Sequence, residues 1–398
     1  MNIGTMHLPE SEYMQRLEQL TNQIRLDKLS GVILFDRYYI LYYTGFAFIP
    51  TERPVALVVN AAGERALFVP RLELEHAETN ALVDQVASYL EYPYIPHPMD
   101  GFKKLRGDMG ISAPYGADQD GYPWILGYRG PSLTDLLGDS PLPVAACVED
   151  QMMVKSAAEI GLIRESVKWG NLAHTLLQRY TRPGATETEV SWRASLDATL
   201  SMLDAIGPIY RPQSPFSNGA EAGYRGQIGR NAAIPHALAN NIAFKSGDVL
   251  VSGAGCPVWG YNSELERTMI IGAPSDEQRQ LFAHMLALQE TAFRSMHPGV
   301  TCSQVDQAVR AYYAENGLIQ YWKHHVGHAI GLRYHEGPFL DLGDHTQLRP
   351  GMVFTVEPGL YHPEIGGFRH SDTVVVTEDG VELLTYYPRD LESLIIPV

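Results

Sequence analysis

The chain has 398 residues, 45% hydrophobic and 19% charged, with 36 glycines and 26 prolines. That composition is globular and excludes collagen, coiled coil and disordered tracts. With 46 acids against 30 lysines and arginines the net charge is −16, which disfavours nucleic acid and anionic membrane surfaces as partners.

At roughly 100–200 residues per domain the length implies two or three domains, each able to bury a core. The three cysteines, Cys147, Cys256 and Cys302, lie far apart and cannot all pair, so a disulfide scaffold is excluded and a reducing compartment is the simpler reading. The N-terminal stretch MNIGTMHLPESEYMQRLEQL lacks the apolar core of a signal peptide, and nowhere do about 18 apolar residues run together. A soluble, cytoplasmic protein is expected.

In chain order, Tyr13, Leu17, Leu20 and Ile24 recur at helical spacing and predict an amphipathic helix over 10–28. The short runs GVILF (31–35), PVALVV (54–59) and RALFVP (65–70) read as strands, with a hairpin turn at Asn60–Gly63. Helix and strand patterns alternate to about residue 150, which predicts a layered α/β domain over 1–150. A long helical stretch over 151–181 opens a second domain, 151–398, and a further helix fits 186–205. Strands return with DVLVSGAG and SELERTMIIG, helices fit 275–297 and 303–317, and MVFTVEPG and DTVVVTEDGVELLT close an α+β domain.

Three segments put ionisable residues where a strand should be apolar. In GYNSELERTM (260–269), strand alternation places Asn262, Glu264, Glu266 and Thr268 on one face. Two carboxylates so placed repel unless a metal, a substrate cation or a protonated partner lies between them; the alternative is a solvated face. HHVGHAIGLRYHEGP (324–338) gathers His324, His325, His328 and His335 among glycines that argue against a helix. In VFTVEPGLY, Glu357 interrupts an apolar strand and must be paired or face a cleft. GGFRHSDTVVV adds Arg369, His370 and Asp372 at the mouth of the last apolar strand, and AIPHALANN holds His236.

GYNSELERT, GHAIGLRYHEGP, VFTVEPG and GGFRHSDTVVV, in this order and spacing, resemble the pita-bread superfamily of Xaa-Pro aminopeptidases, prolidases, methionine aminopeptidases and creatinase. The similarity extends over the whole chain. It implies a creatinase/prolidase-like α/β N-terminal domain followed by an α+β pita-bread catalytic domain. The dinuclear peptidases of that superfamily carry two aspartates, a histidine and two glutamates as metal ligands. Carried over, these fall on Gly253, Glu264, His328, Glu357 and Ser371, so two carboxylates are missing.

The departures resemble creatinase, which shares the fold and hydrolyses a C–N bond without metal. This resemblance implies a metal-independent hydrolase of a small zwitterion, needing no cofactor. Glu266 and Glu357 would clamp a cationic group with Glu264 as a third contact, and His236 would move the proton. His328 and His335 would hydrogen-bond the substrate or oxyanion. Arg369, and Arg53 reaching across a homodimer, would hold the carboxylate. The alternative is a mononuclear Xaa-Pro aminopeptidase or dipeptidase with Glu264, His328 and Glu357 on one Mn or Zn ion. A third reading is a non-catalytic binding protein on the same fold.

Overall fold

The computed structural model describes residues 6–90 and 97–398 and divides into two compact units. Leu8–Met152 forms one, and Met153–Val398 forms the other together with Met6 and His7. The first five residues of the polar N-terminal stretch lie outside the described residues, as do residues 91–96.

The N-terminal unit contains α1 (Glu10–Leu26), β1 (Gly31–Leu34), α2 (Arg37–Thr44), β2 (Ala56–Asn60), β3 (Arg65–Pro70), α3 (Leu74–Asn80) and β4 (Gln85–Tyr89). It continues with α4 (Pro98–Asp108), β5 (Gly116–Ala117), α5 (Leu133–Leu137), β6 (Leu142–Pro143) and α6 (Ala145–Met153). One mixed sheet runs in the order β4-β3-β2-β1-β5-β6. The turn expected at Asn60–Gly63 joins antiparallel β2 and β3, closed by the Asn60 side-chain oxygen, which accepts the backbone N–H groups of Ala62 and Glu64 at 3.0 Å each. Ile33, Val58, Phe68, Phe102 and Tyr115 fill the core on one face of this sheet.

The second unit opens with α7 (Ala157–Tyr180), α8 (Glu187–Ile206), β7 (Glu221–Gly223), β8 (Val249–Gly255) and β9 (Leu265–Ile271). Then come α9 (Asp276–Ser295), α10 (Cys302–Glu315), β10 (Gly327–Ala329), β11 (Glu336–Leu340) and β12 (Val353–Val356). β13 (Gly359–His362), β14 (Gly366–Arg369), β15 (Ser371–Val376), β16 (Val381–Leu383) and β17 (Ile395–Ile396) complete it. A nine-stranded sheet follows the path β11-β10-β12-β15-β9-β8-β7, with β16 beside β15 and β17 beside β9; β13 and β14 form a separate hairpin.

The single helical stretch expected over 151–181 is two helices, α6 and α7, broken at residues 154–156. Three local preferences cause the break. Val154 bridges to Met352 as a strand residue, and Lys155 turns inward to Glu336 at 2.8 Å with both side chains buried. Ser156 then caps α7, its hydroxyl accepting the Glu159 N–H while the Glu159 carboxylate accepts the Ser156 N–H. The same reciprocal cap starts α9 at Ser275 and Gln278, and α10 at Thr301 and Gln304.

Candidate active site

The site is built where β8, β9, β10, β12 and β15 lie side by side. β10 approaches β12 so closely that a Cβ on Gly327 would sit 2.1 Å from the Thr355 carbonyl oxygen, which is why glycine stands there. That approach lets the Thr355 hydroxyl accept the His328 N–H at 3.2 Å and carries His328 to the sheet's centre, fully buried. Glu357 follows the end of β12, its N–H bonded to the Val326 carbonyl at 2.7 Å, and so stands beside the imidazole. Glu264 enters just ahead of β9, its N–H donated to the Thr373 hydroxyl at 2.8 Å.

These three side chains form a donor set: one ligand atom from each of Glu264, His328 and Glu357 lies within 4.8 Å of the others. His328 Nδ1 is 3.0 Å from the Ala329 carbonyl, an acceptor only, so Nδ1 carries a proton and Nε2 is the nitrogen turned toward the carboxylates. Nε2 pairs with Glu357 Oε1 at 3.3 Å without hydrogen-bond alignment. Burial, with the negative fields of Glu357 and Glu266 added, pushes the Glu264 carboxyl up to about 7. Burial works against charge on His328 too, but Glu357 and Glu264 outweigh it and hold it up at about 9. Burial likewise opposes ionisation of Glu357, which His328, Arg369 and His324 nevertheless hold well below the carboxylate range. Two carboxylates and one imidazole whose ligand atoms converge within 4.8 Å suit one divalent ion with an open position for water.

They do not suit a pair of ions. Gly253 on β8 and Ser371 on β15 are both register partners of Glu266 on β9, so the two positions lacking a carboxylate flank Glu266 on either side. Glu266 is already neutralised from within the chain. Arg369 holds it through Nε at 2.5 Å and Nη2 at 2.8 Å, and Arg225 Nη2 donates to the same carboxylate at 2.5 Å. Ser371 donates its hydroxyl to Glu264 Oε1 at 2.7 Å.

The expected shared face of residues 262–268 is therefore partly realised. Glu264 and Glu266 line one cavity of about 460 Å³, and Glu266 is 2% exposed, so this face is not solvated. Asn262 is spent on the Gly331 and Leu332 carbonyls, and Thr268 on the backbone of Arg369. Among the histidines, His335 is exposed and stacks on His328 with ring centroids 3.8 Å apart, while His324 bonds Tyr361. Burial and the charge of His328 pull His335 down to about 4. His236 is exposed in the turn after residues 229–233. Strand alternation sends Arg267 to the opposite face from Glu266, where it pairs with Asp372 at 2.8 Å with no exposure on either side; His370 is buried against Phe282. Arg53 lies in the N-terminal unit, 2.7 Å from Glu52. Sequence reasoning passed over Arg225, Lys155 and Glu336, although Glu336 follows His335 directly within HHVGHAIGLRYHEGP.

Residues 161–378 match the family model for metallopeptidase family M24, and residues 16–112 that for the creatinase/prolidase N-terminal domain. The probable dipeptidase PepE of Mycobacterium tuberculosis is 30% identical over 397 residues, covering 100% of both chains. An Xaa-Pro dipeptidase of Pyrococcus horikoshii is 31% identical over 336 residues, 83% of this chain and 86% of that one. The crystal structure of dipeptidase PepE from Mycobacterium ulcerans superposes with a TM-score of 0.81 at 27% identity, over 98% of this chain and 100% of that one. The pita-bread fold and its two-domain order are thus confirmed.

The expectation of a metal-independent, creatinase-like hydrolase without cofactor is overturned by these matches to metallopeptidases and dipeptidases. The physical reason is visible in the pocket. The carboxylate that would have clamped a cationic substrate, Glu266, is held by two of the chain's own arginines, whereas the ligand atoms of Glu264, His328 and Glu357 converge within 4.8 Å of one another. With half of its length matched by that model and a full-length relative at 30% identity, the chain belongs to metallopeptidase family M24.

Proposed function

We propose that this chain is a metal-dependent peptidase acting on short peptides, of the Xaa-Pro type named for several relatives, with a single divalent ion, Mn or Zn, on Glu264, His328 and Glu357. The observation that carries this reading is the convergence of ligand atoms from Glu264, His328 and Glu357 within 4.8 Å, with His328 Nδ1 fixed by the Ala329 carbonyl so that Nε2 faces both carboxylates. When bound, such an ion supplies Lewis acidity toward a peptide carbonyl and a water that ionises near neutrality.

The chain's own groups do the rest. Ser371 holds one oxygen of Glu264, and Arg369, 3.7 Å from Glu357 Oε2, keeps that carboxylate ionised. His335, stacked over His328 on the exposed side, hydrogen-bonds the substrate carbonyl as it becomes an oxyanion, and His236 donates to the departing nitrogen. The single ion follows from Gly253 and Ser371, which offer no carboxylate, and from Glu266, which is already paired.

The test is elemental analysis of protein purified without chelator, alongside hydrolysis of Ala-Pro before and after chelation. One ion per chain and activity lost on chelation and restored by Mn or Zn are expected. Undiminished hydrolysis in the stripped protein overturns the metal requirement, and two ions per chain overturn the single-ion site.

A further inference from the structure

The loop that carries His335 is anchored by a buried ion pair that reaches in from a distant part of the chain. Residues 330–335 join β10, which holds His328, to β11, which opens with Glu336. The pairing of these two strands is irregular: His328 faces Phe339, but the next residue, Ala329, faces Glu336 rather than Pro338. Gly337 and Pro338 are left over, so strand register alone does not fix where the loop tip stands. Yet His335, although exposed, lies flat over His328, with ring centroids 3.8 Å apart and planes 17° apart. An exposed ring on a six-residue loop keeps one orientation only if the main chain beneath it is fixed.

Glu336 does the fixing. Both of its oxygens are engaged at the root of the loop: Oε1 accepts the Arg333 N–H at 2.9 Å, and Oε2 accepts from Lys155 Nζ at 2.8 Å. The Lys155 and Glu336 side chains are 1% and 6% exposed. Lys155 is itself held at the break between α6 and α7, where its N–H donates to the Gly351 carbonyl at 3.0 Å beside the Val154–Met352 bridge. Gly331 packs so closely on the pair that a Cβ there would lie 2.9 Å from both Lys155 Cε and Glu336 Oε2. The Gly331 carbonyl accepts the Asn262 N–H at 2.8 Å, which ties the start of the loop to the residues ahead of β9. A buried ion pair adds little net stability over apolar residues of the same volume, because both charges must be desolvated. What this pair supplies is direction: a carboxylate bonded on both oxygens, one residue from His335, has no freedom to swing.

Resting on the peptidase reading above and on the part it gives His335, we propose that Lys155 and Glu336 are positioning residues, whose ion pair holds the loop so that the His335 imidazole stays over His328 where the oxyanion forms. Neither side chain lines the cavity, so their effect on turnover passes through His335. A hydrogen bond to the carbonyl oxygen strengthens as that oxygen gains charge, and it counts for more in the transition state than in the bound substrate. Loosening the strut therefore lowers kcat and leaves KM and ion content in place.

The experiment measures Ala-Pro hydrolysis by the metal-loaded full-length protein, by Lys155→Arg and by Lys155→Met/Glu336→Gln, which removes both charges so that neither is left buried alone. Each is also made in a His335→Ala background, and ion content and urea denaturation establish that every variant is loaded and folded. The neutral pair should lose about 10- to 100-fold in kcat with KM held within about twofold, and Lys155→Arg, which keeps the charges, should lose less than about 10-fold. In the His335→Ala background the same substitutions should cost under about twofold, because the group they position is gone. Full kcat in the loaded neutral pair, or an equal loss in both backgrounds, overturns the proposal. Should the neutral pair not fold, Lys155→Arg decides by the same comparison: a loss confined to the native background upholds the strut, and no loss or an equal one overturns it. If the native protein does not cleave Ala-Pro, the peptidase reading itself fails, and the strut is judged by proton NMR of ring-labelled histidine. His335 signals shifted upfield by the His328 ring, and released when either variant loosens the loop, uphold it; signals unshifted in the native protein, or unmoved in the variants, overturn it.

Discussion

Two halves of one pocket handle negative charge in opposite ways. Around Glu266 the chain supplies its own cations, Arg369 and Arg225, and every carboxylate oxygen has a guanidinium partner within 2.8 Å. Around Glu264 and Glu357 its cations stand farther off, His328 Nε2 at 3.3 Å and Arg369 at 3.7 Å from Glu357, and Glu264 is met by the Ser371 hydroxyl at 2.7 Å. The residue types are almost the same, and burial is similar. What differs is how tightly the fold's own cations grip: Glu266 is saturated by guanidinium groups, while Glu264 and Glu357 keep oxygens turned toward a common point, the arrangement the proposed single-ion site uses.

The contrast can be broken most forcefully at His328. His328→Ala should strip the ion and lower kcat on a cleavable dipeptide by roughly 10³-fold, the scale of several kcal/mol of transition-state stabilisation. Elemental analysis and steady-state kinetics check both effects, and a variant that retained its ion would erase the distinction between the halves.

Glu266→Gln probes the other half. It removes the charge that two arginines share and leaves Arg369, 3% exposed at its side chain, without its main partner. Urea denaturation should show a loss of about 3–5 kcal/mol while ion content stays at one per chain. Losing the ion without losing stability would mean that the two halves had been assigned the wrong way round.

A smaller effect comes from the layer behind the sheet, where His174 is fully buried, its Nε2 2.7 Å from the Ser252 hydroxyl. Burial, then the charge of Arg267, pulls His174 down to about 3. Its unfolded value is near 6.5, so between pH 6.5 and 3 the unfolded chain binds more protons and stability falls as pH falls. From pH 6.5 to pH 5 the loss should be about 2 kcal/mol at about 1.4 kcal/mol per unit. His174→Gln should flatten that slope in urea titrations, leaving the part due to His370, which burial and Arg267 also lower.

Much of the site was legible in the chain itself. Glu264, His328 and Glu357 stood out because a carboxylate or imidazole inside an apolar strand has to be explained, and all three meet in the donor set. The Ser-x-x-Glu and Ser/Thr-x-x-Gln caps at Ser156, Ser275 and Thr301 carry the helix starts in the chain, and the one at Ser156 is passed over in a single-helix reading of 151–181. Arg225 was hidden because nothing local marks an arginine in a glycine-flanked turn as bound to a strand 41 residues away. The role of Glu266 was misread for the same reason. Its partner Arg369 was recognised as important, but strand alternation says which face a residue takes and not which cation waits across the sheet. The break at residues 154–156 escaped because it depends on Lys155 finding Glu336, a contact 181 residues away in sequence.

Gly226 limits how such a pocket can be altered. A methyl group there would lie 2.1 Å from the Leu238 carbonyl oxygen, so any side chain at that position displaces main chain rather than a movable neighbour. The turn that sets Arg225 against Glu266 is therefore fixed by main-chain packing, and a change at Gly226 would reach the pocket through the backbone.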